Sequence, residues 1–235
     1  MKNVLVIDIG SHKAEEAMLL EGRPNLSNRN RYRLLRQAKF DPRRATAEIL
    51  AIRRESEAFA ATYSCRHILV EPVMHRELIE FVATSKNALL VNGVVSCDPS
   101  HETTLFMAGD SLGNSIRPEK PGLTGQTTTT FNINFVKFYE FLMDVYVRSG
   151  DCDKIILRMN AEGVEGPIIE WLANEADIRP DMLAGSIGDI KKCFGQAAYD
   201  KALADLERAG IPYIYFTSFP TAWLTGLRQI TAALA

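Results

Sequence analysis

The segment VLVIDIGSHKAEEAML, residues 4–19, decides the fold class. It opens with apolar, mostly β-branched residues and then reaches Asp8 and Gly10 before the sequence becomes polar. A short apolar run of this kind is typical of a parallel strand that is buried on both faces. A doubly wound sheet binds its ligands just beyond the carboxyl ends of such strands. Residues 4–9 are therefore predicted to form the first strand of an α/β domain, with a candidate ligand site directly after it.

Strand and helix patterns alternate along the rest of the chain. Further strands are predicted at residues 66–70, 87–96, 155–159 and 212–218, and helices at residues 74–84 and 199–210. Residues 109–114 are predicted to form a turn, and residues 117–130 a loop or an edge strand. The alternation predicts a doubly wound, mostly parallel sheet, and residues 1–235 are expected to form a single domain.

The first two predicted strands are separated by residues 10–65, which is more than one crossover helix needs. Asp41 followed by Pro42 is typical of a helix start, with a capping residue and then a proline in the first turn. The apolar residues that follow fall close to one helical face, namely Ala45, Ile49, Ile52 and Phe59. Residues 15–64 are therefore interpreted as a helical insert after the first strand.

The insert is strongly basic, although the whole chain has a net charge of −2. Residues 22–54 contain ten basic side chains, nine of them arginine, against only two acidic ones. Arginine suits phosphate and carboxylate because its planar donors match their geometry. The insert is thus a candidate substrate lid for an anionic acceptor, bound by Arg29, Arg31, Arg43 and Arg44. The alternative is a solvated helical hairpin whose charges only keep it soluble.

Composition and residue spacing argue against several classes of protein, among them metal-binding, membrane-spanning and secreted ones. The four cysteines and four histidines are scattered without metal-site or C-x-x-C spacing, so no metal site is expected and a reduced, cytoplasmic protein is favoured. No apolar run approaches the length of a membrane span, and the first residues lack the pattern of a signal peptide. The slightly acidic net charge argues against nucleic acid as a partner. A homodimer is compatible with the sequence.

Polar residues stand at the ends of three predicted strands. They are Asp8, Glu71 and Asn160. An acid at the end of the second strand can accept two hydrogen bonds from a ribose diol, although the same position also suits a helix cap or a surface charge. The glycine-rich loop G-x-G-x-x-G is absent after the first strand, which argues against a dinucleotide with a pyrophosphate to hold.

The segment LRMNAEGVEG, residues 157–166, contains a second polar cluster. If residues 158–162 are extended, Arg158, Asn160 and Glu162 point to one face. Buried charges destabilise a protein unless they are paired, so their clustering at a strand end indicates a site. The alternative is a structural Arg–Glu pair, with Glu165 capping the next helix.

Four blocks, in this order, resemble the FkbM family of S-adenosylmethionine-dependent methyltransferases. They are VIDIGSHKAE (6–15), ILVEPVMHRELIEFV (68–82), NALLVNGVVSCDPSHETTLFMAGDSLGNSI (87–116) and KIILRMNAEGVEGPIIEWL (154–172). The resemblance implies a seven-stranded Rossmann-like methyltransferase sheet. It also implies S-adenosyl-L-methionine as cofactor and methyl transfer to a hydroxyl of a sugar, glycan or natural product.

The resemblance also implies roles for single residues. The methionine part of the cofactor would contact Asp8, Gly10 and Ser11, and its sulfonium would lie near Asn160. Its ribose would contact Glu71 and Pro72, and its adenine would contact Asn92 and Val94. Glu162 and His12 are the candidate catalytic bases, since a hydroxyl acceptor must lose a proton.

The chain departs from the family pattern at three positions. Ala14, Arg158 and Asn160 stand where the family has glycine, lysine and aspartate. These changes favour an alternative in which the domain keeps the fold, and binds the cofactor, without transferring methyl groups. A nucleic-acid methyltransferase that uses the basic insert is a third hypothesis.

Overall fold

The computed structural model describes residues 1–109 and 113–235, and strands and helices alternate through it. The strands are β1 (Lys2–Ile9), β2 (Tyr63–Val70), β3 (Ala88–Val91), β4 (Val94–Ser96), β5 (Glu102–Ala108), β6 (Leu123–Asn134), β7 (Lys154–Met159), β8 (Met182–Gly185) and β9 (Tyr213–Tyr215). The helices are α1 (Glu15–Leu20), α2 (Asn28–Gln37), α3 (Pro42–Thr62), α4 (Arg76–Thr84), α5 (Phe135–Leu142), α6 (Glu165–Asn174), α7 (Gly188–Phe194), α8 (Gln196–Ala209) and α9 (Pro220–Leu234), and a π-helical segment (Met143–Arg148) follows α5.

The main sheet has six strands in the order β3-β2-β1-β7-β8-β9, and all neighbouring pairs are parallel. The predicted α/β class with a mostly parallel sheet is confirmed. Counted along the chain within this sheet, the order is 3-2-1-4-5-6, that of the doubly wound dinucleotide-binding fold. The direction of winding reverses between β1 and β7, and this is the switch point at which such sheets bind ligands.

The expected seventh strand is not found within residues 1–109 and 113–235. After β9 the chain forms α9, whose buried residues Trp223, Leu227, Ile230 and Leu234 recur at helical spacing. This spacing matches one helical face and not the alternation of a strand. The sheet therefore ends at β9.

A second, three-stranded sheet has the order β4-β6-β5, with β4 parallel and β5 antiparallel to β6. The strand predicted at residues 87–96 is thus two strands, β3 and β4, which belong to different sheets. The region expected to be a loop or an edge strand contains β6, which is the central strand of this sheet. The turn predicted at residues 109–114 includes residues 110–112, which lie outside the described part of the chain.

Helices cover both faces of the main sheet, and β1 shows why. Its residues Leu5, Ile7 and Ile9 pack in one core with α5, α6 and α8, while Val4 and Val6 pack in a second core with helices α1–α3 and α9. Both faces of β1 are therefore apolar, as its sequence predicts.

The segment predicted as an insert, residues 15–64, contributes to this second core. Ile52 and Phe59 of α3 are buried with Trp223 of α9, and Leu34 of α2 joins them. Helix α3 is the crossover helix that leads into β2, and α1 and α2 are the additional part. The predicted cap of α3 is confirmed, because the Asp41 carboxylate accepts hydrogen bonds from the backbone amides of Arg43 and Arg44.

Helices α8 and α4 correspond to the helices predicted at residues 199–210 and 74–84. Helix α8 ends at Gly210, which has a positive φ of 69° and caps the helix, as expected. In α4 Leu78 and Phe81 are buried, whereas Ile79 is half exposed. Across residues 1–109 and 113–235, no helix combines the length and the apolar character needed to cross a bilayer.

Candidate functional site

A cleft opens at the carboxyl ends of β1, β2 and β7, at the switch point of the sheet. It encloses about 670 Å³, counting its open mouth, which is within the range of small-molecule sites. Seven of the residues predicted for the site line it: Gly10, His12, Glu71, Pro72, Val94, Asn160 and Glu162. Among the residues predicted to bind the cofactor, three do not line it, namely Asp8, Ser11 and Asn92.

Glu71 is held rigidly at the end of β2. One carboxylate oxygen accepts the backbone N–H of His12 at 2.8 Å, and the other accepts that of Val73 at 3.0 Å. Burial raises the pKa of this carboxyl, and the two backbone hydrogen bonds oppose the rise. A carboxylate has about four acceptor positions, so it can still bind donors from a ligand.

Asp8 belongs to a buried ion-pair network instead of the cleft wall. The registers of β1 and β7 pair Asp8 with Arg158, which places both side chains on the same face of the sheet. The Arg158 guanidinium donates to the Asp8 carboxylate at 2.9 Å, to Glu16 of α1 at 2.5 Å and to the Gly10 carbonyl at 2.6 Å. Burial raises the pKa of Asp8, and the attraction of Arg158 opposes this rise. Burial also raises the pKa of Glu16 to about 7, against the attraction of Arg158 and with a smaller contribution from the Asp8 carboxylate.

This network corrects the interpretation of the polar cluster on β7. Strand β7 ends at Met159 and Glu162 has a positive φ of 58°, so residues 158–162 do not continue as an extended segment. Arg158 pairs with Asp8 and Glu16, not with Glu162. Glu165 accepts backbone hydrogen bonds from Ala161 and Gly163, and thus stabilises the turn before α6. Sequence spacing gave no sign of Glu16, because this residue of α1 is distant from Arg158 along the chain and meets it only in the folded structure.

The loop after β1 is bound to its neighbours by its own backbone. The amides of Gly10 and Ser11 both donate to the Val70 carbonyl, at 2.9 and 3.2 Å, and the Ser11 hydroxyl donates to the Asp8 carbonyl at 2.7 Å. These two amides therefore do not face a ligand. Gly10 has a φ of 77°, and a Cβ there would lie 2.2 Å from the Asn160 carbonyl oxygen. The glycine allows close approach of the β7 loop, not of a ligand.

Glu162 lines the cleft and interacts with two buried residues that sequence reasoning missed. Its carboxylate contacts the ammonium of Lys120, and Lys120 lies 4.0 Å from Asp189. Burial, together with a hydrogen bond to the Asp189 carboxylate, raises the pKa of Glu162 to about 8. Burial opposes ionisation of Asp189 as well, but Glu162 and Lys192 donate to it and lower its pKa. The proton of this pair therefore resides on Glu162, which suits a group that exchanges protons near neutral pH.

His12 lines the cleft in a strained backbone conformation, with a φ of 46°. Its ring lies 4.3 Å from that of His75, centroid to centroid, and its Nδ1 lies 3.7 Å from a carboxylate oxygen of Glu15. Within the described residues, buried polar atoms of His12, His75, Glu15, Glu16 and Arg158 have no hydrogen-bond partner. Such a concentration of unpartnered buried atoms is typical of a site that holds water or a ligand.

No family model, curated protein or solved structure matches this chain. The assignment of a function therefore rests on the cleft and its surroundings. Their elements are a fixed acid at the end of β2, unpartnered polar atoms after β1, and a buried carboxyl of raised pKa after β7.

Asn92 lies outside the cleft but contacts its wall. Its side-chain amide donates to the carbonyls of Glu71 and Pro72, at 3.0 and 3.1 Å. It therefore fixes the backbone around Glu71, and Val94 follows it into the apolar part of the cleft.

The four arginines predicted to bind an acceptor are exposed and do not line the cleft: Arg29, Arg31, Arg43 and Arg44. Another arginine of the predicted insert, Arg33, packs beside the cleft, with its guanidinium 4.9 Å from the centre of the Phe219 ring. Phe219 follows Ser218, which lines the cleft. The arginine-rich sequence gave no reason to single out Arg33, because its proximity depends on the packing of α2 against α9.

Proposed function

We propose that this chain is an S-adenosylmethionine-dependent methyltransferase of the FkbM type, which methylates a hydroxyl of a sugar, glycan or natural product. The observation that carries the proposal is the Glu71 carboxylate. It stands at the end of β2, beside the switch point, with two backbone amides fixing its orientation and acceptor positions left over. A ribose diol offers the two donors that such a carboxylate accepts.

The rest of the cleft fits this cofactor. Val94, Val95 and Ile116 provide an apolar wall suited to an adenine ring. The unpartnered atoms of His12 and Glu15 offer both donor and acceptor character to an amino-acid moiety. When bound, the cofactor supplies a methyl group activated by its positive sulfonium.

The remaining work falls to residues of the chain. Transfer requires the acceptor oxygen to be held in line with the methyl group, which is largely a matter of positioning. Glu162 is the proposed base that takes the proton of the acceptor hydroxyl, and Lys120 and Asp189 position its carboxyl. Because the four cysteines at 65, 97, 152 and 193 are free thiols, we also propose a reducing, cytoplasmic location.

Calorimetry with S-adenosylmethionine and its demethylated product tests the proposal. Binding is expected, and ligand at a hundredfold excess over its dissociation constant should raise the free energy of unfolding by about 2.7 kcal/mol. Glu71→Ala should weaken binding by roughly 1.5–3 kcal/mol, because hydrogen bonds to a charged acceptor are lost. Glu80→Ala, which removes an exposed acid of α4, is the matched control. Absence of binding to the unmodified protein would refute the proposed function.

A domain that binds the cofactor without transferring methyl groups is the second candidate. Asn160 favours it, because this residue of the cleft carries an uncharged amide where the family pattern has an aspartate. Transfer of labelled methyl groups to a panel of sugars, polyketides and RNA separates the two candidates. Cofactor binding without any labelled product would favour the binding domain.

A further inference from the structure

One face of α2 is built from arginines. Arg29, Arg33 and Arg36 are separated by four and then three residues, so they project from the same side of the helix. Arg33 stacks on Phe219, whose side chain is 47% exposed. Because Phe219 follows Ser218, which lines the same cleft as Glu162, the Arg33 end of this face lies beside the rim of the candidate active site.

The positive charge of this face is only partly offset by the protein, because the Glu15 carboxylate attracts Arg33 without forming an ion pair with it. Within residues 1–109 and 113–235, none of its three arginines forms an ion pair with a carboxylate. The nearest polar contact of Arg33 is a long hydrogen bond of 3.5 Å to the Asn30 side chain. Burial, and then repulsion from Arg29, lower the pKa of Arg33, and the attraction of Glu15 opposes this shift. Arginines that are near enough to repel one another favour binding of an anion from solution.

The extent of the surface sets the size of that anion. Helix α2 has ten residues and is about 15 Å long. Beyond the first turn of α3 the acidic residues Glu48, Glu55 and Glu57 intervene. A continuous basic track for a long polyanion is therefore not formed, whereas one or two phosphate groups fit the length of the arginine face.

We propose that the arginine face of α2, formed by Arg29, Arg33 and Arg36, binds a phosphate or pyrophosphate group of the methyl acceptor. The acceptor is then a phosphorylated small molecule, such as a sugar phosphate, with its anionic end on α2 and its hydroxyl in the cleft. This assignment rests on the proposed methyl transfer. Several planar guanidinium groups at one place suit the oxygens of phosphate better than a single carboxylate.

Binding of inorganic pyrophosphate, measured by calorimetry without cofactor, tests the site. Arg33→Gln is expected to weaken binding about tenfold, the loss of one charge-assisted hydrogen bond, and Arg29→Gln combined with Arg33→Gln should weaken it further. Arg31→Gln is the matched control, because Arg31 lies about 200° around the helix from both residues. It should leave pyrophosphate binding unchanged. Raising the salt concentration from 50 to about 300 mM should weaken binding to the unmodified protein.

The outcomes that overturn the inference are distinct. If the unmodified protein binds no pyrophosphate but binds S-adenosylmethionine, only the arginine site is wrong. If Arg31→Gln weakens binding as much as Arg33→Gln, the effect is general charge and not a site. If a ten-nucleotide oligouridine binds more tightly than pyrophosphate and Arg33→Gln abolishes it, the occupant is nucleic acid. Pyrophosphate binding by a chain that does not bind the cofactor would overturn the acceptor role together with the proposed function.

Discussion

The carboxyl of Glu162 illustrates how a single residue acquires a role from its surroundings. An exposed glutamate is ionised at neutral pH and is a weak base. Burial and the neighbouring Asp189 carboxylate raise the pKa of Glu162 to about 8, so its ionised form is a stronger base but a minor species at pH 7. The sequence predicted Glu162 as a candidate base from its position after β7. It gave no indication of Lys120 or Asp189, which reach it from distant segments.

The rate of methyl transfer should therefore depend on the ionisation of Glu162. At saturating substrates the rate is expected to rise roughly tenfold between pH 7 and pH 9, as the carboxyl of pKa about 8 loses its proton. Glu162→Gln should be slow and should flatten this profile, whereas Glu170→Gln, an exposed acid on α6, should preserve it. A profile that is unchanged in Glu162→Gln would assign the base to His12 or to no residue of the chain.

A single buried histidine, His67 of β2, makes the stability of the folded protein depend on pH. The side chain is fully buried, and burial lowers its pKa to about 4 against the opposing attraction of Glu21. In the unfolded chain its pKa is near 6.5, so between pH 6.5 and 4 the unfolded state binds the extra proton. The free energy of unfolding contributed by His67 is therefore complete above pH 6.5 and is lost as the pH falls towards 4.

Denaturant titrations at several pH values measure this loss. We expect the free energy of unfolding to fall by up to about 3 kcal/mol between pH 6.5 and 4 through His67 alone. His67→Gln should reduce the slope even if it lowers stability at every pH. His101→Gln, which replaces an exposed histidine, should keep the original slope. Equal slopes in all three proteins would mean that the pKa of His67 is the same in the folded and the unfolded state.

At the scale of elements, α3 shows the difference between a lid and a core helix. The sequence predicted its start at Asp41 and its apolar face correctly, because caps and helical periodicity are local signals. It did not indicate what that face packs against. The apolar face of α3 packs together with α9 in the second core, on one side of the main sheet. The helix therefore cannot leave the sheet without exposing that core.

Two alanine substitutions in α3 test this placement. Ile52 is fully buried, so Ile52→Ala should lower the free energy of unfolding by about 2–5 kcal/mol. Leu50 lies on the same helix with 58% of its side chain exposed, and Leu50→Ala should change stability by less than about 0.5 kcal/mol. Chemical denaturation measures both. If Ile52→Ala were as mild as Leu50→Ala, the helix would be a detachable lid after all.

At the scale of the whole molecule, the alternating pattern predicted the fold class and most of the parallel strands. The strand β8, with the sequence MLAG, was missed because four small or apolar residues carry no distinctive period. The seventh strand was expected from resemblance and not from any local pattern, and helix α9 occupies that part of the chain. In the site, the strand-end residues Glu71, Asn160 and Glu162 were found from sequence, while the pairing of Asp8 with Arg158 required the strand register.

The closed set of backbone hydrogen bonds beneath the cleft has a kinetic consequence. The amides of Gly10 and Ser11 share the Val70 carbonyl, that of His12 is held by Glu71, and that of Asn160 is held by Ile9. Because each bond ties one strand end to the next, opening one of them requires β1 to separate from β2 or β7. In amide hydrogen exchange without ligand, these four amides should exchange as slowly as the amide of Ile7 within β1, by global unfolding. Measurably faster exchange at residues 10–12 would reveal a loop that opens on its own. Slow exchange would mean that a ligand meets a surface already ordered, so that its association rate is not limited by loop closure.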